Sequence, residues 1–170
     1  MEKIQVLKPK YRTEEILKEI QECLDTSWTG MGGKAIEFEE RWKDYADFEH
    51  AHFLQSATAG LHLALKVFKE KYSWEDGDEI ITSPLTFVST NHAIMYENLK
   101  PVFADVDDSL CLDPESVLSN ITDKTRAVMF VGIGGNIGQY QKIREICDLQ
   151  NIPLILDAAH LAGTKIWRTY

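Results

Sequence analysis

The chain has 170 residues, 44% hydrophobic and 26% charged, the balance of an ordinary water-soluble globular protein. Its 27 acidic against 18 basic side chains give a net charge of −9, which argues against nucleic acid or an anionic membrane surface as the main partner. No apolar run approaches the ~18 residues of a membrane span, and the start Met1-Glu2-Lys3-Ile4-Gln5 is no signal peptide. A small anionic ligand stays open, because local amides and helix ends overrule net charge. Cys23, Cys111 and Cys147 are odd in number and lack C-x-x-C spacing, so they read as reduced, packed thiols of a cytoplasmic protein.

In chain order, an amphipathic helix opens at Thr13, with Glu14 and Glu15 at its positive end and Ile16, Leu17, Ile20, Cys23 and Leu24 on one face. A glycine-rich loop, Trp28-Thr29-Gly30-Met31-Gly32-Gly33, ends it. A second helix follows, with Ile36, Phe38, Trp42 and Tyr45 or Ala46 at helical spacing. From His52 the pattern becomes strand then helix, repeatedly. Strands are expected over residues 52–55, 79–82, 102–106, 127–131 and 154–156, and helices over 58–72, 89–98, 114–120 and 140–150. Asp113 and Pro114 form a strong start signal for the third of these helices. Such alternation with short connections predicts an α/β fold, a mostly parallel sheet covered by helices. The expected organisation is a helical segment over 1–50 outside the sheet and an α/β domain over 51–170.

Four stretches carry chemistry. Ser56-Ala57-Thr58-Ala59-Gly60-Leu61-His62 joins a strand to a helix; its small residues, helix amides and the Thr58 hydroxyl, read as a cap, make a phosphate cradle. It is no Walker loop, since the glycine-lysine-Ser/Thr ending is absent. The bland alternative is an ordinary helix cap, and His62 falls within the helix, packed or partly exposed. Pro84-Leu85-Thr86-Phe87-Val88-Ser89-Thr90 places Phe87 at another carboxyl strand end, either over a flat ligand or as a core plug. Leu154-Ile155-Leu156-Asp157-Ala158-Ala159-His160 reads as a strand buried on both faces that delivers an acid to its carboxyl end, where α/β proteins bind ligands. An aspartate there suits a cationic ring. The fourth stretch, Gly132-Ile133-Gly134-Gly135-Asn136-Ile137-Gly138, offers a rival: a loosened dinucleotide fingerprint with Asp157 on a ribose hydroxyl, as in a nicotinamide-dependent oxidoreductase.

The ordered set resembles fold-type I pyridoxal phosphate enzymes, and more narrowly the DegT family of sugar aminotransferases. The matching pieces are Trp28-Thr29-Gly30 with Phe38-Glu39, 56–65, Gly77-Asp78-Glu79-Ile80-Ile81, Thr86-Phe87-Val88-Ser89-Thr90, Pro101-Val102-Phe103-Ala104-Asp105-Val106 and Asp157-Ala158-Ala159-His160. The resemblance implies the large cofactor domain of such an enzyme and pyridoxal 5′-phosphate as cofactor. Thr58 and Ala59 would bind its phosphate, Phe87 would stack on the ring, Asp157 would pair with the ring nitrogen and His160 would lie near the phenolic oxygen. Trp28 and Thr29 would approach substrate.

The same resemblance implies an amine passed from a donor, glutamate in most of the family, to a nucleotide-linked keto sugar in a cytoplasmic homodimer. Two departures stand out. Gly132 and Gly134 occupy positions where the family often has His and Tyr. The lysine that attaches the cofactor lies downstream of Asp157 in a segment these residues do not reach. Lys165, eight residues past Asp157, matches the region before that segment. The expectation is therefore an N-terminal portion, truncated and inactive alone, with no catalytic residue of its own. A non-catalytic binder of a nucleotide sugar or partner chain is the alternative. The related subgroup that replaces the lysine with histidine and removes a hydroxyl is not separable from these residues.

Overall fold

The computed structural model describes residues 8–28 and 30–165. Internal contacts divide the chain into two units, Met1–Phe53 and Leu54–Tyr170. The first unit holds two helices, α1 (Thr13–Asp25) and α2 (Gly33–Ala46). Neither buries a residue, and the α1 face bearing Ile16, Leu17, Ile20 and Leu24 is exposed. Within this unit Phe38 stacks on Trp42 and meets Phe53 edge-on, while the Phe53 amide donates to Glu39 Oε1 at 2.7 Å.

The second unit runs α3 (Ala57–Tyr72), β1 (Glu79–Thr82), α4 (Val88–Tyr96), β2 (Lys100–Phe103), α5 (Pro114–Ser119), β3 (Thr125–Val131), α6 (Tyr140–Gln150) and β4 (Leu154–Asp157). All pairings are parallel, in the order β2-β1-β3-β4, as the alternating pattern predicts. Alternate strand residues point to opposite faces, so the sheet builds two cores. Ile80, Ala127 and Met129 pack with Leu61 and Leu65 of α3 and Ala93 and Ile94 of α4 on one face. Ile81, Val128 and Phe130 pack with Val117 of α5 and Ile143 and Cys147 of α6 on the other. Burial pushes the Cys147 thiol up to about 11, so it stays protonated and inert at neutral pH. The expected cap of α5 is present: Asp113 accepts from the Glu115 amide at 3.2 Å, with Pro114 in the first turn.

Three strand expectations are corrected. Residues 52–55 form no strand and pair with none of the four strands of the sheet. The segment expected over 102–106 pairs two residues earlier, over Lys100–Phe103, because the register to β1 starts where Glu79 meets Lys100. Beyond Phe103, Val106 makes only an isolated bridge to Leu112. Among the described residues β4 lies at the edge of the sheet and is not buried on both faces: Ile155 and Asp157 are buried while Leu156 is exposed. The strand that is buried almost throughout is its neighbour β3.

At the amino edge, ion pairs clip the strands together. Arg126 Nε of β3 donates to Asp78 Oδ2 at 2.7 Å, and Lys100 Nζ of β2 to Glu79 Oε1 at 2.9 Å. Burial pushes the Asp78 carboxyl up, but the Arg126 guanidinium and the Glu75 amide together outweigh it and hold it below its ordinary value of 3.8. Hydrogen bonds from Thr122 and Lys100 hold Glu79 below its ordinary 4.5. Carboxyls depressed by folding stabilise the fold above their ordinary values, and that contribution is lost as pH falls through the depressed ones. Asp78→Asn and Glu79→Gln should each cost about 1 kcal/mol at pH 7, a figure discounted because the Lys100 and Arg126 side chains reach solvent. The first should flatten the fall of stability below pH 3.8 and the second that below pH 4.5, measured by urea melts followed by circular dichroism. An unchanged acid slope would contradict this.

Candidate active site

The site lies at the carboxyl edge of the sheet, for reasons of chain direction. Only residues 73–78 separate the end of α3 from the start of β1, so α3 ends at the amino edge and runs antiparallel to β1. Its positive N-terminus is thereby carried to the carboxyl edge. α4 starts there directly after β1, and β4 ends there at Asp157, in register with Val131 of β3.

Asp157 is buried, only 6% exposed, and both of its carboxylate oxygens are held. Thr90 Oγ1 donates to Oδ2 at 2.6 Å, and the Ala159 amide donates to Oδ1 at 3.2 Å. Charge-assisted bonds of this kind offset the desolvation of a buried carboxylate. Thr90 is itself fully buried and sits in the first turn of α4. That turn is anchored to the end of β1 through Asn91, which accepts from Thr82 Oγ1 at 3.0 Å and donates to the Ser83 carbonyl at 3.2 Å.

Phe87 is the residue on which α4 begins. Its extended backbone (φ −67°, ψ 138°) turns the chain into the helix, and its carbonyl accepts the Thr90 amide at 3.1 Å. The ring is 73% exposed, so it is no core plug. Phe87 thus stands in solvent one helical turn before Thr90, the residue that holds the buried carboxylate.

His160 follows β4 by three residues and is exposed. Its Nδ1 accepts the Gly134 amide at 3.1 Å, so the proton of the neutral ring is carried on Nε2, which is left to donate. Gly134 reaches this position with φ +61°, a conformation that favours glycine. Gly132 has a different reason to lack a side chain, since a Cβ there would fall inside the buried Leu161.

The same loop overturns the dinucleotide reading. Its amides are spent internally: Gly132 on the Asp157 carbonyl, Gly134 on His160, Gly135 on the Gly132 carbonyl, Asn136 on the Ile133 carbonyl and Gly138 on Asn136 Oδ1. A pyrophosphate would need those donors free.

At the start of α3 the cap is Ser56 rather than Thr58. Ser56 Oγ accepts the Ala59 amide at 3.2 Å, and Thr58 is already the second helical residue, half-buried. A hydroxyl serves as cap only from the residue preceding the helix, and α3 opens one residue earlier than the sequence pattern implies. His62 is held by Glu97, with Nε2 and Oε1 2.7 Å apart, and packs on Tyr96. In the first unit, Trp28 is exposed and its Nε1 donates to the Met31 carbonyl at 2.9 Å. Thr29, paired with it in the substrate expectation, lies outside the described residues.

Sequence reasoning assigned no role to Thr90 or to the Gly134 amide. The i, i+4 pair of Thr86 and Thr90 at a helix start was the available hint for the first. Nothing in the residue types pointed to the second.

The sequence profile of the DegT/DnrJ/EryC1/StrS aminotransferase family matches residues 10–167. The chain is 36% identical over 152 residues to the spore coat polysaccharide biosynthesis protein SpsC of Bacillus subtilis, covering 89% of this chain and 38% of that one. Among solved structures, DesI in the presence of its TDP-sugar product is 33% identical with a TM-score of 0.79, over 92% of this chain and 39% of that one. NtdA from Bacillus subtilis with bound cofactor PMP is 25% identical with a TM-score of 0.80, over 86% and 33%. The chain thus spans about two fifths of the length of the relatives it matches. With a parallel sheet, a buried strand-end aspartate and a profile match over nearly its whole length, the chain belongs to the DegT/DnrJ/EryC1/StrS aminotransferase family.

Proposed function

We propose that these residues form the cofactor-holding part of a pyridoxal 5′-phosphate-dependent aminotransferase that acts on a nucleotide-linked keto sugar, in amino-sugar and polysaccharide biosynthesis. The observation that carries the reading is Asp157, a buried acceptor-only carboxylate with both oxygens held, one of them by Thr90, which lies one helical turn after the exposed Phe87. The residues fit the cofactor's three chemical features. Asp157 would hold a cationic ring nitrogen, Phe87 would lie against the ring, and Thr58 and Ala59 at the start of α3 would meet the phosphate. Because Ser56 Oγ accepts from Ala59, its own proton is free to donate outward, which adds Ser56 to the phosphate site. His160 Nε2–H would donate to the phenolic oxygen, its orientation fixed by Gly134.

When bound, pyridoxal phosphate supplies an electron sink for a carbanion formed beside its ring. The chain's own work is to keep the ring nitrogen charged, through Asp157, and to hold the ring in one plane. DesI, with its TDP-sugar product, and SpsC, a polysaccharide biosynthesis protein, support the substrate class. NtdA, bound to PMP, supports the cofactor. We further propose glutamate as amino donor, a cytoplasmic homodimer, and Trp28 and Thr29 as substrate contacts.

The test is a fluorescence titration of the purified 170-residue chain with pyridoxamine 5′-phosphate, which has no aldehyde to react with surface lysines. Asp157→Ala should weaken binding at least about tenfold, the scale of one lost charge-assisted interaction. Unchanged affinity would overturn the assignment of Asp157. Separately, Thr58→Ala and Ser56→Ala should weaken pyridoxamine 5′-phosphate by several-fold while leaving unphosphorylated pyridoxamine unaffected. Equal losses for both ligands would remove the start of α3 from the phosphate site.

A further inference from the structure

Thr90 has one hydroxyl proton, and its position is decided by its neighbours. A carboxylate only accepts, so at 2.6 Å the Thr90 proton is directed to Asp157 Oδ2. Thr86 Oγ1 lies 2.8 Å from Thr90 Oγ1, and with the Thr90 proton committed, Thr86 must be the donor of that bond. The hydroxyls therefore form a one-way chain, Thr86 to Thr90 to Asp157, running from a half-buried turn to a buried carboxylate. Thr90 is 0% exposed, and the contact joins residues 67 apart in sequence. With Ala159 on Oδ1, the carboxylate has a donor on each oxygen, and its plane is fixed at both ends.

We infer that Thr90 is a positioning residue for Asp157: it aims the carboxylate so that a remaining lone pair meets a cationic ring nitrogen, and Thr86 fixes the direction of the Thr90 hydroxyl. The inference rests on the proposed role of Asp157 and goes beyond it. Replacing Thr90 by valine puts a methyl where the donor stood, leaves Oδ2 without its partner and frees the carboxylate to turn. The loss should then be felt only by a ligand that carries the ring nitrogen. Thr90→Ser restores the hydroxyl and should restore the effect.

The experiment compares the affinity of the chain for pyridoxamine 5′-phosphate with that for its analogue bearing carbon in place of the ring nitrogen. Wild type should prefer the nitrogen compound, and Asp157→Asn should abolish most of that preference. Thr90→Val should reduce the preference at least about tenfold while leaving affinity for the carbon analogue unchanged, and Thr90→Ser should keep it. If Asp157→Asn loses the preference and Thr90→Val keeps it, the Thr90 role is wrong while the cofactor reading stands. A Thr90→Val chain that loses affinity for both ligands equally has only a packing role, which also overturns the inference. A wild type indifferent to the ring nitrogen overturns the role of Asp157 and that of Thr90 with it. Should Thr90→Val fail to fold in a urea melt, Thr86→Val, a change in a half-buried turn, is read by the same ratio.

Discussion

A carboxylate taken out of water must be given partners, and the architecture at the carboxyl edge follows from meeting that demand at Asp157. Its two oxygens are supplied from different places: Thr90, on a helix that starts after β1, and Ala159, in the turn after β4 itself. For the first contact to exist, α4 must begin close to the end of β4, although β3 lies between β1 and β4 in the sheet. The bond between Asn91 and Thr82 and the burial of Ala93 and Ile94 hold α4 in that place. The residue that opens the helix is then Phe87, which is left in solvent together with its neighbours Leu85 and Val88.

The glycine loop after β3 contributes in a different way. Its residues resemble a ligand cradle when read in order, yet its amides satisfy one another and the end of β4. What it offers to the site is one amide, that of Gly134, which sets which ring nitrogen of His160 carries a proton. The donor is a backbone amide, and Gly134 presents it from a left-handed conformation that favours glycine. The opposite edge of the sheet is built on the same accounting, with Asp78 and Glu79 paired to Arg126 and Lys100. There the paired charges join strands.

The alternation of buried strands and amphipathic helices made the α/β class, the parallel sheet and most element positions legible in the residues, since period-2 and period-3.6 patterns are local properties. The α5 start was legible for the same reason: Asp113 and Pro114 act within one turn. Asp157, Phe87 and His160 could be picked out as candidates from their place after strand-like runs.

Pairing and partnership were decided only in three dimensions. Residues 52–55 look like a strand but find no ladder, and Leu154–Asp157 looks doubly buried but lies at an edge, because neighbours in a sheet are chosen by the fold and not by the segment. Ser56 displaced Thr58 as cap when the helix began one residue earlier than its pattern. The Thr90 bond to Asp157 and the Gly134 bond to His160 span 67 and 26 residues. No local signal encodes contacts at such separations. The sequence by itself determined which chemistry could be held at the carboxyl edge; the tertiary structure decided which donors aim it, because hydrogen-bond partners are set by distance in space.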